Sequence, residues 1–236
     1  MILYQDEKHA LIGVFGSSNR KTGSMIQTWI MNKESLEGGF CQDCTSLDLC
    51  YVFQGKNSIQ KKLSRGGYEE VSIDLSKKRV RVGTYGDPSV FPLQVWKDLN
   101  IKKHTGYTHN WRSPHVQEYK SFLMASVETL ESYHLAKSLG WRVFYNLLDV
   151  YTGLVSIEQV QSEINAIECP NSTHELTCYD CLLCDGSKRA KDIFIYPHGG
   201  KLSKKNALAT IEKSRKQDQD LVQVLLLNQE SFQDHA

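Results

Sequence analysis

The side chains best suited to chemistry in this 236-residue chain are its seven cysteines, which fall into two groups. The downstream group consists of Cys169, Cys178, Cys181 and Cys184. The upstream group consists of Cys41, Cys44 and Cys50. In the run C-x2-C-x2-C of the downstream group, two residues between cysteines let a tight turn bring both sulfurs to one point, and a third cysteine keeps the chain around that point. The spacing therefore predicts a cysteine-bound metal centre that draws on both groups.

Two kinds of metal centre take thiolate ligands. Zinc favours four thiolates in a closed tetrahedral site, usually from two separated C-x2-C pairs. Iron-sulfur clusters favour closely packed C-x2-C-x2-C runs with a further cysteine followed by proline, and here Cys169-Pro170 precedes the run. Because seven thiols exceed one zinc site, we expect a [4Fe-4S] or [3Fe-4S] cluster, with zinc as the alternative. Either metal could serve chemistry or could only stabilise the fold.

Three polar residues outside the cysteine groups are candidate catalytic or ligand-binding residues. Asp87 could accept hydrogen bonds from a ligand ammonium group, or it could cap the next helix and shape its turn. His109 and His198 could bind metal or transfer protons, although loop histidines more often make ordinary hydrogen bonds. Tyr107 could line a pocket, but an aromatic residue at a strand end usually belongs to the core. The sequence holds no nucleotide-binding glycine loop, nucleophile elbow or carboxylate pair typical of hydrolases.

The elements that must position these residues are predicted from hydrophobic patterns. Two strands, 10–16 and 24–31, are joined by a polar turn and could form a β-hairpin. Further strands are predicted at 79–85, 104–108, 122–126, 141–146 and 192–197. Helices are predicted at 92–99, 127–139, 156–165 and 203–217. Strands that alternate with helices predict right-handed βαβ units, a parallel sheet and an α/β fold.

Such units form either a partial or complete parallel β/α (TIM-like) barrel or an open doubly wound sheet. We favour the barrel, because polar clusters follow the C-terminal ends of the strands, where barrel enzymes carry their sites. These clusters are 85–88, 107–111, 125–128 and 196–199. We expect a single domain, 1–236. It consists of a hairpin extension at 1–35, a barrel-like core with both cysteine groups at 36–200, and a helical segment at 201–236.

Composition narrows the classes of partner and the compartment. The formal net charge is +1, so general electrostatic binding to nucleic acid or to an anionic membrane is not predicted. The chain has no apolar run long enough to span a bilayer, and its first residues include acids where a signal peptide needs a basic start. We expect a cytoplasmic protein, and reducing conditions there favour metal binding by clustered cysteines over disulfides.

Several short motifs extend from the first cysteine group almost to the last predicted helix. They are C-x2-C-x5-C-Y at 41–51, VGTYGDP at 82–88, TGYTHNW at 105–111, MAS at 124–126, GWR at 140–142, ECP at 168–170, C-x2-C-x2-CDG at 178–186 and HG at 198–199. Together they resemble those of a family of cysteine-rich bacteriophage and prophage proteins. The resemblance implies a phage context, a host-cytosol location and a cysteine-bound metal, and it names no reaction. Relatives usually have proline where this chain has Gln42 and Thr45, a difference that concerns the loop shape and not the ligands.

A partial similarity to radical S-adenosylmethionine enzymes adds an expectation about the site. Those enzymes combine a β/α barrel, a three-cysteine loop after the first strand and a glycine-acid-proline motif after the second. This chain has the same order, with cysteines at 41–50 and Gly86-Asp87-Pro88, but its cysteine spacing differs from their usual C-x3-C-x2-C. The similarity implies a cluster at the loop end of the barrel, beside Asp87.

Two roles are therefore weighed. A phage-type iron-sulfur protein acting as a redox or radical-type enzyme needs an open cavity at the rim beside the cluster, where a small-molecule ligand could bind. A zinc- or cluster-stapled structural or interaction protein needs a fully ligated, buried metal and a rim filled by side chains. A nucleic-acid-binding form of the second role is disfavoured by the near-neutral charge.

Overall fold

The centre of the molecule is a nine-stranded, mostly parallel β-sheet. The structure, a computed structural model, describes residues 1–16, 19–33, 44–50, 58–187 and 190–233, with side chains as far as residue 227. The strands are β1 (Ile2–Gln5), β2 (His9–Val14), β3 (Ile26–Asn32), β4 (Arg79–Tyr85), β5 (Lys103–Thr108), β6 (Met124–Val127), β7 (Val143–Asn146), β8 (Ala166–Glu168) and β9 (Asp192–Ile195). Their order in the sheet is β1-β2-β3-β4-β5-β6-β7-β9-β8. β1, β2 and β3 pair antiparallel, and every pairing from β3 to β8 is parallel.

The helices begin and end at recognisable signals. They are α1 (Ser58–Ser64), α2 (Leu93–Asp98), α3 (Leu130–Ser138), α4 (Leu148–Thr152), α5 (Ile157–Glu163), α6 (Pro170–Thr173), α7 (Cys178–Cys181) and α8 (Lys204–Gln233). Short 3-10 helices occur at Leu47–Leu49, Pro88–Val90 and Pro114–Ser121. Side chains of Thr129, Ser156 and Thr177 accept hydrogen bonds from the first turns of α3, α5 and α7. These caps satisfy backbone donors that the helix itself leaves unpaired.

Strand alternation gives the sheet two different faces. Val80 and Val82 of β4 are fully buried with Trp96 of α2 in the main core, on the face that the helices cover. Met124 of β6 and Ile193 of β9 belong to a smaller core on the opposite face. Because successive side chains of a strand point to opposite faces, the helices and the second core lie on different sides of the sheet.

Chain connectivity explains what covers the second face. From β3 to β7 the strands follow one another in chain order, and right-handed crossovers then place all their connecting helices on one face. The order reverses between β8 and β9, so the right-handed connection between them must cross the other face. That connection contains residues 169–187, which we call the cysteine segment. The topology thus places the downstream cysteines on the face without the long helices.

The α/β prediction is confirmed, since a largely parallel sheet is combined with helices. The predicted hairpin strands pair antiparallel as β2 and β3, and β3 also pairs with β4. The sheet is not closed: within the described residues, β8 pairs only with β9, and β1 pairs with β2 and forms one isolated bridge between Ile2 and Glu70. The complete form of the predicted barrel is therefore not formed by this part of the chain.

The C-terminal helix is longer than the sequence predicted. The apolar run at 221–227 continues the helix predicted at 203–217, and together they form α8. Ala207 and Ile211 of α8 are buried against Leu148 of α4, with Leu49 packed beside them. Side chains of Val222 and of 224–227 are exposed. None of the described helices combines the length and the apolar character that crossing a bilayer requires.

Candidate functional site

The second face of the sheet carries a cavity of about 450 Å³. Strands contribute its wall through side chains that point away from α2 and α3, including those of Arg81, Tyr107 and Phe144. Cysteines from both groups border it, namely Cys44, Cys50, Cys169 and Cys178. Its volume lies in the range typical of small-molecule sites.

Backbone hydrogen bonds fix the cysteine segment against the sheet. The amide of Cys178 donates to the carbonyl of Lys21 over 2.7 Å, and the amide of Gly106 donates to the carbonyl of Cys184 over 2.8 Å. The second bond uses a β5 amide at the point where β5 pairs with β4 and has not yet begun to pair with β6. The cysteine segment therefore fills a gap between β5 and β6, where these two strands do not yet pair.

The four downstream thiols are free and electrostatically coupled. Burial raises the pKa of Cys178 and that of Cys181, and the neighbouring Cys169 raises both further. Burial raises the pKa of Cys184 to about 12, with contributions from Cys178 and Cys169. Cys169 and Cys178 border the cavity, and Cys169 also packs against the small core that contains the buried Cys184.

These thiols fit a metal centre in kind and number. Zinc and four-iron clusters both take four cysteines, and metal binding replaces the protons of the thiols. As the side chains stand, no three His, Cys, Asp or Glu residues in the described part of the chain are placed to share one ion. A shared ion would require the thiols to lie closer together than they do.

The upstream group lies at a different wall of the cavity. Cys41, a predicted ligand, lies outside the described residues, whereas Cys44 and Cys50 flank the 3-10 helix Leu47–Leu49. Lys213 of α8 forms a salt bridge of 2.6 Å with Asp48 in that helix. Cys44 and Cys50 thus flank a turn that contacts α8, whereas Cys184 is bonded to β5 of the sheet.

Asp87 is buried at the carboxyl end of β4 and its carboxylate is occupied by donors from the chain. It accepts hydrogen bonds from the amide and hydroxyl of Ser89, from the hydroxyl of Thr108 and from the amide of His109, at 2.7 to 3.1 Å. These bonds join the loops after β4 and β5. Of the two roles weighed for Asp87, the geometry matches turn formation, although the residue also borders the cavity.

His109 borders the cavity and is backed by a buried carboxylate. Its Nδ1 lies 3.2 Å from Oε1 of Glu128, which is fully buried. Glu128 also accepts hydrogen bonds from the hydroxyls of Ser46 and Ser214. Burial alone would lower the pKa of His109, but Cys44 and Glu128 raise it well above its ordinary value. The sequence placed Glu128 in a polar cluster that follows a predicted strand. No local pattern in the sequence indicated that it lies beside His109.

His198 lies at the mouth of the cavity. Its Nδ1 donates to the carbonyl of Tyr196 over 3.0 Å, so its Nε2 is the acceptor in the contact with the ammonium group of Lys21. Both side chains are exposed. The three candidate residues thus border one cavity but have different surroundings.

Tyr107 forms part of an aromatic and cationic stack on the cavity wall. The guanidinium carbon of Arg81 lies 4.2 Å from the centre of its ring, and the ring of Phe144 is stacked at 4.2 Å. Burial raises the pKa of Tyr107 well above its ordinary value, and the neighbouring Cys184 contributes. The sequence placed Tyr107 at a strand end but not beside a cysteine.

The fold and the site together define an α/β protein with a cavity bordered by two cysteine groups. Comparisons of the chain with protein-family models, with curated proteins and with solved structures give no match.

Proposed function

We propose that the protein is an iron-sulfur protein that acts as a redox or radical-type enzyme on a small molecule bound in the cavity. Cys169, Cys178, Cys181 and Cys184 are the residues that would hold the cluster. A bound cluster supplies one-electron transfer. The chain itself supplies the cavity, the buried loops that carry Asp87 and His109, and the low-dielectric surroundings.

The observation that carries this proposal is the open cavity beside the thiols. A purely structural metal site needs no such space, because thiolate ligands and packed side chains would fill it. Here about 450 Å³ lies between the two cysteine groups. The residues that border it include acidic, basic and aromatic side chains, which suit a polar organic ligand.

We propose a partial β/α barrel for the part of the sheet from β3 to β7, where the strands follow chain order. The sequential order of β3 to β7 supports it, because this order places the helices outside and leaves the other face for a site. The position of Asp87 and His109 after the carboxyl ends of β4 and β5 supports the same interpretation. A cysteine-bound metal centre needs reduced thiols, which the cytosol maintains, and the sequence resemblance favours the cytosol of a phage-infected host.

Iron analysis of anaerobically purified protein tests the proposed function. We expect a brown protein with broad absorbance near about 400 nm, as thiolate-bound iron and sulfide produce. The Cys181→Ser variant should lose most of its iron, whereas Cys50→Ser, which alters the same cavity from the other group, should retain it. Colourless wild-type protein with stoichiometric zinc would overturn the iron-sulfur assignment, and equal iron loss in both variants would assign the upstream group as ligands.

The second candidate is a structural or interaction protein whose fold is stabilised by a bound metal. The bond between Gly106 and Cys184 favours it, because the cysteine segment fills a gap in the sheet and a metal there would stabilise the fold directly. Protein that carries zinc and binds no small molecule in the cavity would select this function.

A further inference from the structure

Arg142 is a buried arginine directly before β7, and its side-chain contacts gather on one short stretch of the chain. Only 4% of its side chain is exposed. One terminal nitrogen donates to Oδ1 of Asp185 over 3.3 Å and to the carbonyl of Ser187 over 3.1 Å. The other donates to the carbonyl of Lys191 over 2.5 Å. The guanidinium group therefore binds the chain where it leaves the cysteine segment and again where it reaches β9.

These contacts join two sequence motifs that had no assigned role. Arg142 ends the GWR motif at 140–142, and Asp185 lies in the CDG motif that ends the cysteine run at 184–186. A buried guanidinium group needs a counter-charge and acceptors for its donors, and the end of the cysteine segment provides both. The backbone of Arg142 is itself fixed in the sheet, because its carbonyl accepts from the amide of Ala125 in β6 over 2.9 Å. An arginine anchored in the sheet thus holds the end of the cysteine segment.

Cys184 lies in the turn that Arg142 holds. The residue is buried, and its carbonyl accepts from the amide of Gly106 in β5 over 2.8 Å. Oδ1 of Asp185, which Arg142 contacts, also accepts from the amide of Ser187 over 2.9 Å. The turn is therefore bound to β5 through the backbone of Cys184 and to the residue before β7 through the Arg142–Asp185 pair.

We propose that Arg142 is a positioning residue of the downstream thiol centre: by binding Asp185, Ser187 and Lys191, it holds Cys184 where its thiol can bind a metal. This inference rests on the proposed function, which assigns Cys184 as a ligand. A thiol that is fixed before the metal arrives loses less conformational freedom on binding, and this raises the affinity for the metal. Arg142 therefore acts on the centre through the turn that carries Cys184.

Labelling of the metal-free protein with iodoacetamide tests the inference without any metal. Mass spectrometry reports each cysteine separately. In Arg142→Met, which keeps an apolar stem and loses the guanidinium group, we expect Cys184 to react about 10-fold faster than in the wild type, because the turn opens locally. Arg112→Met is the matched control, since Arg112 is also buried but binds Asp218 and Ser214 of α8. The control should label Cys184 at the wild-type rate.

Two outcomes of the labelling would overturn the inference. Equal Cys184 rates in all three proteins would show that Arg142 does not hold the turn. Equal rises in both variants would show that any loss of a buried arginine opens it. If Arg142→Met does not fold, Asp185→Asn takes its place. That variant removes the charged partner, keeps an acceptor for the amide of Ser187, and should speed the labelling of Cys184 in the same way; a wild-type rate would count against the inference.

Cobalt(II) titration tests the consequence for the metal centre. Cobalt(II) replaces zinc in thiolate sites and gives a thiolate-to-metal charge-transfer absorption that reports binding. We expect Arg142→Met to bind cobalt(II) about 10- to 100-fold more weakly than the wild type, as is typical when an outer contact of a metal site is lost, and Arg112→Met to bind with wild-type affinity. Wild-type affinity in Arg142→Met would overturn the inference. Wild-type protein that binds no metal would overturn the proposed function, whereas the labelling would still decide whether Arg142 positions Cys184.

Discussion

At the scale of single residues, hydrogen-bond partners decide what the polar groups of the cavity do. Asp87 follows a strand in a glycine-acid-proline motif, which suggested an acceptor for a ligand. In the structure, each of its two oxygens already accepts bonds from donors of the chain. The carboxylate therefore joins two loops, and those loops in turn position His109.

The Asp87→Asn variant separates the two roles of this residue. The Asn side chain would place an N–H group opposite a donor of Thr108, His109 or Ser89, so at least one of these hydrogen bonds would be lost. We expect a loss of unfolding free energy of about 1 to 3 kcal/mol. Urea unfolding measures this loss. Asp98→Asn is the control, because Asp98 is exposed and accepts from the side chain of Gln94, so its change should stay within about 0.5 kcal/mol. Wild-type stability with weakened ligand binding would instead assign Asp87 to the ligand.

At the scale of elements, α8 is attached to the body of the protein by a buried polar network. Nε of Arg112 donates to Asp218 over 2.7 Å, and its second nitrogen donates to Ser214 over 2.9 Å. Ser132, in the first turn of α3, also donates to Asp218. Ser214 in turn donates to Glu128, the partner of His109. The network thus links the long helix to the wall of the cavity.

Removing one partner of the buried Arg112–Asp218 pair should loosen α8. Each single variant, Arg112→Met or Asp218→Leu, leaves an uncompensated buried charge, and we expect a loss of about 3 to 5 kcal/mol in unfolding free energy. The double variant should lose much less than the sum, since it leaves no lone charge. Urea unfolding gives the coupling, and hydrogen exchange should show faster opening of α8 in the single variants. Additive losses would show that the two side chains act independently.

At the scale of the whole molecule, the cysteine segment is part of the sheet and also part of the cavity wall. It takes the place of a strand neighbour for Gly106, and Gly186 packs so closely on Leu123 that an added Cβ would lie 2.5 Å from its amide. A metal held by this segment would therefore stabilise both the sheet and the site. Folding and metal binding should be coupled.

Removal of the metal tests this coupling. We expect chelation to lower the unfolding free energy, by up to about 10 kcal/mol on the scale of structural thiolate sites, and to expose Gly106 to hydrogen exchange. Thermal unfolding of loaded and stripped protein measures the loss. In Cys181→Ser the difference between loaded and stripped samples should vanish, while in Cys50→Ser it should persist. A stripped protein with unchanged stability would show that the segment folds without metal.

Local patterns in the sequence predicted β2 to β7 and β9, the helices α2, α3, α5 and the first part of α8, and the two groups of cysteines, because hydrophobic periodicity and cysteine spacing act over a few residues. The short elements β1, β8, α4, α6 and α7 were not predicted. Only the tertiary structure decided which groups meet. His109 and Glu128 are 19 residues apart, whereas Arg112 and Asp218 are separated by 106 residues. The cysteine segment lies on the cavity face because the strand order reverses between β8 and β9. Strand order depends on the packing of the whole sheet, and no local spacing encodes it.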